Sequence, residues 1–119
     1  MRDSYEIAES IGIKLERTKM CGGGAKSPLW RRIMANVLNL KVDVLAVEEG
    51  PALGGAMLAA VGCGVYNSVE EVAEKVVKIK ETVEPDPEIS ALYDKRYSIF
   101  KRIYPSVKEL FREMQENMD

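Results

Sequence analysis

The chain has 119 residues, 46% hydrophobic and 30% charged, with a formal net charge of -2. That length suits one globular domain rather than a two-domain cleft, and the charge gives no broad positive field for a nucleic-acid backbone. No window reaches the ~20 consecutive apolar residues that span a bilayer, and the opening Met1-Arg2-Asp3-Ser4-Tyr5 lacks the apolar core of a secretory signal or anchor. The sequence therefore predicts no nucleic-acid partner, no membrane partner and a cytoplasmic location. Histidine is absent, which excludes an imidazole base. Cys21 and Cys63 sit among small apolar neighbours, where buried free thiols are expected rather than a disulfide or a zinc site.

In chain order, Tyr5, Ile7, Ala8 and Ile11 recur at helical spacing and Gly12 supplies a stop, so a short helix opens the chain. Lys14 to Met20 alternates loosely and reads as a strand with Leu15, Thr18 and Met20 facing inward. Gly22-Gly23-Gly24 then breaks regular structure. Ser27-Pro28 is a strong helix start: the serine oxygen can cap an unpaired amide, and proline in the first turn loses no hydrogen bond. That helix runs to about Asn39, with Leu29, Trp30, Ile33, Met34, Val37 and Leu38 on its core face and Arg31, Arg32 and Asn36 turned away.

Val42 to Val47 is nearly continuous in apolar residues apart from Asp43, the pattern of a parallel strand covered on both faces. The small residues all round Pro51 to Ala60 predict a buried, closely packed helix. Ser68 and Glu71 form a capping box ahead of Val69, Val72, Ala73 and Val76. Val77 to Val83 reads as an extended tail, and Pro85-Asp86-Pro87 stops it before a helix carrying Ile89, Leu92, Tyr93, Tyr97 and Phe100. Pro105 imposes a kink or restart before Leu110, Phe111 and Met114.

The order predicts an α/β fold: two parallel strands with packed helices in residues 1–66 and a carboxy-terminal helical extension in 67–119. Two strands are few, since such sheets hold roughly five. The expectation is a piece of a larger sheet, with the strand at 14–20 as an open edge through which a homodimer or higher assembly forms.

A glycine turn between a strand and a capped helix gathers backbone amides and the positive end of the helix dipole, which suits an anion or nucleotide. The turn is not a phosphate-gripping P-loop, because Met20 and Ala25 stand where glycine is required. Nor is it a dinucleotide fingerprint, because Ser27 replaces the last glycine. A triple glycine alone serves equally well as a tight connection with no ligand.

The longer pattern separates these readings. Cys21-Gly22-Gly23-Gly24-Ala25-Lys26-Ser27-Pro28-Leu29-Trp30-Arg31, followed by Glu49-Gly50-Pro51-Ala52-Leu53-Gly54-Gly55-Ala56-Met57-Leu58-Ala59-Ala60, resembles the end of an FGGY-type carbohydrate kinase, the xylulokinases above all. Glu84-Pro85-Asp86-Pro87 and Tyr104-Pro105 extend the likeness over nearly the whole chain. The resemblance implies the carboxy-terminal half of a ribonuclease-H-like, actin-like ATPase architecture that binds ATP or ADP with magnesium. In it Gly22, Gly23, Gly24 and Ala25 approach adenosine through their backbone, with Lys26 at the rim and Ser27 near the base. It also implies transfer of the gamma phosphate to a sugar, D-xylulose giving D-xylulose 5-phosphate, in the complete enzyme. The catalytic aspartate, magnesium ligands and sugar pocket match nothing here, so nucleotide binding without turnover is expected. Glu48 and Glu49 are expected to stabilise a helix dipole, by ~0.3 to 1 kcal/mol, rather than to hold metal. Gly54, Gly55 and Ala56 should let their helix pack near the nucleotide cleft, and Trp30 should be core. The alternatives are a noncatalytic self-associating module, or the same piece of a gluconate- or glycerol-type kinase.

Overall fold

The computed structural model describes residues 1–46 and 50–117. Its elements are α1 (Arg2–Ser10), β1 (Arg17–Met20), a 3-10 turn (Gly23–Lys26), α2 (Pro28–Leu38), β2 (Lys41–Leu45), α3 (Gly50–Gly62), α4 (Val69–Val76), β3 (Ile79–Val83), α5 (Pro87–Phe100) and α6 (Ile103–Glu116). The parallel pair is present: Arg17 to Met20 of β1 align with Lys41 to Val44 of β2. The segment read as an extended tail is a third strand. It pairs antiparallel with β2, Val42 opposite Val83 and Asp43 opposite Thr82, with a bulge between Val44 and Leu45. β1 lies at one edge of the β1-β2-β3 sheet.

One face of this sheet carries α2. Met34, Ala35 and Leu38 close over Leu40 and Val42, joined by Tyr5, Met20 and Val83. The helix stops because Asn39 takes a left-handed conformation (φ 52°), a turn that asparagine tolerates better than most residues. The opposite face of β2 carries Asp43, which is 1% exposed. Thr82, directly across the ladder, donates its hydroxyl to Asp43 Oδ1 at 2.7 Å. Arg17 reaches both oxygens: Nη2 bonds Oδ1 at 3.0 Å, while Nε stands 3.0 Å from Oδ2 as an ion-pair contact without hydrogen-bond aim. A carboxylate in a central strand is tolerable only when it is paired in this way.

Helix starts follow their capping chemistry. Asp86 accepts from the amides of Glu88 and Ile89 at the head of α5, and its own amide donates to Asn36 Oδ1 on α2 at 2.7 Å. Asn36 therefore faces a partner instead of turning away. Ser68 caps α4 through the Glu71 amide, and Glu71 accepts in return from the backbone and side chain of Asn67. Pro105 marks a restart, because α6 begins at Ile103 after a two-residue break.

The predicted burial fails in several places: Leu15, expected to face inward, lies before β1 and is 42% exposed, and Leu29, expected on the core face of α2, is 60% exposed. α3 has no buried residue, and Leu58 is 63% exposed, although small residues all round normally mean close packing. Its main contact among the described residues is α4. Trp30 is 44% exposed rather than core. Cys21 and Cys63 are free, as expected, but both are exposed. The radius of gyration, 19.2 Å, exceeds the roughly 13.5 Å of a compact domain of this length. The apolar residues Ile103, Leu110, Phe111 and Met114 of α6 are likewise exposed. A groove of about 690 Å³ between α1, α2 and α5 is lined by Met1, Trp30, Met34, Tyr93 and Phe100 among others.

Candidate functional site

β1 delivers the chain to Gly22, whose φ of 80° with ψ of -172° reverses its direction. Ala25 then donates its amide to the Gly22 carbonyl at 3.0 Å, and Ser27 donates to that of Gly24 at 3.2 Å. These two bonds flank the 3-10 turn at its start and end. Ser27 Oγ accepts from the Trp30 amide at 3.3 Å, so its hydroxyl is engaged in starting α2. The turn thus stands at the amino-terminal, positive end of an eleven-residue helix.

Its orientation is fixed from below. Ala25 is the only buried residue between Cys21 and Ser27, at 4% exposure, and the turn it anchors packs against α2, while Gly22, Gly23 and Gly24 stay open to solvent. Trp30 packs against Gly24, its Cδ1 lying 2.9 Å from the point a β-carbon would occupy. Nothing among the described residues comes within 4 Å of the equivalent points at Gly22 and Gly23. Lys26 is exposed at the far end of the turn and has a partner of its own.

The two glycine segments, distant in sequence, converge here. Cys21 Sγ lies 3.3 Å from the point a β-carbon would take on Gly50, the first residue of α3. Gly54, Gly55 and Ala56 lie further along α3, with open space at both glycines among the described residues. Glu48 and Glu49, read as dipole-stabilising carboxylates, lie outside the described residues.

Arg31 is the contributor that pattern reading missed. Assigned to the outer face of α2, its side chain is only 12% exposed. Its Nε donates to the Ala25 carbonyl, and its Nη1 donates to Glu81 Oε2 of β3 at 2.7 Å. The available signal was geometric: helical side chains lean toward the amino terminus, so a long one in the second turn reaches back over the first.

Among the described residues no three histidine, cysteine, aspartate or glutamate side chains gather to hold a metal, and no helix is long and apolar enough to cross a membrane.

Comparison with known proteins shows the family. The model of the FGGY family of carbohydrate kinases, C-terminal domain, matches residues 1–63. A xylulose kinase of Staphylococcus epidermidis is 37% identical over 108 residues, covering 91% of this chain and 22% of its own length. An autoinducer-2 kinase of Salmonella paratyphi B is 36% identical over 105 residues, 88% of this chain and 20% of the relative. The crystal structure of xylulose kinase from Rhodospirillum rubrum superposes with a TM-score of 0.76 at 32% identity, over 93% of this chain and 22% of that one. The chain thus spans about a fifth of the length of the relatives it matches. The α/β arrangement is that of the actin-like ATPase fold, and the chain belongs to the FGGY family of carbohydrate kinases, whose carboxy-terminal domain it carries.

Proposed function

We propose that this chain is the nucleotide-binding wall of an ATP-dependent sugar kinase whose complete form phosphorylates D-xylulose to D-xylulose 5-phosphate in the cytoplasm. One observation carries the reading: a solvent-open glycine turn, seated by buried Ala25, sits at the head of α2 beside the start of a second glycine-rich helix. Glycines without side chains let a nucleotide approach the backbone, and the helix dipole favours its phosphates. In this reading Gly22, Gly23, Gly24 and Ala25 face the adenosine phosphate through their backbone. Lys26 stands at the rim, and Ser27 holds the helix start rather than reading the base.

The chemistry of transfer is assigned to the remainder of the enzyme. Magnesium, when bound with ATP, would neutralise charge on the transferring phosphate. Its protein ligands are assigned to that remainder as well. This chain's share is to bind and orient the nucleotide, and the base and sugar pocket lie elsewhere. The choice of xylulose rests on the xylulose kinases among the relatives, and the autoinducer-2 kinases are the competing branch.

The test is a titration of the isotopically labelled chain with ADP and magnesium, followed through backbone amide shifts. Changes centred on Gly22 to Ser27 are expected. A saturable response confined to another region, or none at all, removes the reading. Rapid phosphorylation of xylulose by the chain alone would show that the division of labour is wrong.

A second reading has its own observation. β1 is an edge strand, and an open ladder recruits a further strand. Association of two copies through β1 predicts a dimer by analytical ultracentrifugation at high micromolar concentration, and a monodisperse monomer refutes it.

A further inference from the structure

We infer that Arg31, braced by Glu81, is a positioning residue that holds the glycine turn in its nucleotide-receiving shape, an inference that rests on the nucleotide reading of that turn. A cation near the start of a helix opposes the macrodipole, so its presence in the second turn of α2 calls for a compensating partner. Glu81 is that partner, with Nη1 and Oε2 2.7 Å apart. The guanidinium's Nε takes the Ala25 carbonyl, tying the middle of the turn to α2 and, through Glu81, to β3. Ala25 is also the residue whose burial seats the turn, so one residue is held by its methyl group and by its carbonyl.

The brace reaches back to the sheet register. Glu81 stands opposite Val44, where the β2–β3 ladder is interrupted by a bulge. Bulges re-aim side chains, and this one lies where β3 turns a carboxylate toward α2. An exposed strand with no buried residue thereby acquires a role its own packing does not explain. The forked guanidinium suits the task, because two donors in one plane can bind a carbonyl and a carboxylate at once; a lysine ammonium has no such geometry.

The experiment uses three variants: Arg31→Met, Arg31→Lys and Glu81→Gln. Two readouts are compared, amide hydrogen exchange at Ala25, Lys26 and Ser27, and ADP affinity by calorimetry. Glu81 is half exposed, so Glu81→Gln keeps the fold testable should Arg31→Met unfold the chain. Faster exchange in the turn is expected for Arg31→Met and Glu81→Gln, while α4 and α5 amides stay unchanged. ADP binding should weaken about tenfold in Arg31→Met, the scale of one lost charge-assisted bond, with partial recovery in Arg31→Lys. A purely structural role would lower stability and leave affinity untouched in the folded variants, and that result overturns the inference. If the wild-type chain binds no ADP, the nucleotide reading itself fails and takes the positioning role with it. Wild-type binding with unchanged variants removes Arg31 alone.

Discussion

Alanine at each of three consecutive glycines should give three different results, because the turn uses each glycine for a different reason. Gly22 has open space around it among the described residues, but its φ of 80° with ψ near -172° lies where only glycine is comfortable. Gly22→Ala should cost about 1 to 3 kcal/mol through the backbone alone. Gly23 has neither a positive φ nor a neighbour within 4 Å among the described residues. There alanine reduces the freedom of the unfolded chain and should be neutral or stabilising by about 0.4 to 1 kcal/mol. Gly24 fails by contact: a new methyl would sit 2.9 Å from Trp30 Cδ1, 3.0 Å from Nε1 and 3.3 Å from Met20 Cε.

Carbon atoms prefer roughly 3.5 to 4.0 Å, so the indole must retreat by at least about half an ångström. Overpacking costs about 1 to 3 kcal/mol, and the 44% exposure of Trp30 gives the ring room to move, which places Gly24→Ala near the lower figure. Urea unfolding should be followed by far-UV circular dichroism, because the only tryptophan is the residue being displaced. Adding Trp30→Leu to Gly24→Ala should recover about 1 kcal/mol as a coupling energy and none in the Gly22→Ala background. Equal losses at all three positions, or the largest loss at Gly23, would refute the geometry assigned to the turn.

Removing the Thr82 hydroxyl as Thr82→Val should cost about 1.5 to 3 kcal/mol, since Asp43 loses a charge-assisted bond inside the sheet. A calorimetric melting point unchanged within error would show that the buried carboxylate does not depend on it. Asp86→Ala should cost about 1 kcal/mol by uncapping α5, visible as faster amide exchange at Glu88 and Ile89. Glu71 is held down at about 2 from the usual 4.5, first by its bond from Lys75 and then by those from the Asn67 backbone and side chain. The unfolded chain therefore takes up this proton first. The associated stability is complete above about pH 4.5 and is lost as pH falls toward 2, so Glu71→Gln should flatten that part of an acid-unfolding profile.

Local chemistry was legible in the sequence and long-range pairing was not. Ser27-Pro28, the Ser68–Glu71 box and Pro85-Asp86-Pro87 each satisfy their helix start with atoms a few residues away, so their meaning survives without tertiary context. β3 was missed because Ile79 to Thr82 are exposed and only Val83 is partly covered. Its identity as a strand comes from the ladder to β2, some forty residues earlier, and side-chain alternation carries little of it. α3 errs in the opposite direction. Its small residues predict burial, but burial depends on a surface to pack against, and among the described residues that surface is chiefly α4.

The same distinction explains why the glycine turn could be found while its support could not. A triple glycine before Ser27-Pro28 advertises where the backbone can be approached, since that property belongs to the glycines themselves. What keeps the turn in one shape lies outside the glycines: Trp30 of α2 across from Gly24, Cys21 against the distant Gly50, and Glu81 holding the arginine that grips Ala25. Each of these contacts joins separate elements, and Glu81 lies 50 residues from Arg31. A turn made of three glycines has little stiffness of its own, because glycine loses more conformational freedom on ordering than any other residue. If it receives a nucleotide in a defined shape, the ordering must come from outside the motif. The strand whose side chains bury least then shares in the site's rigidity, through Glu81 on its surface and Val83 against the core.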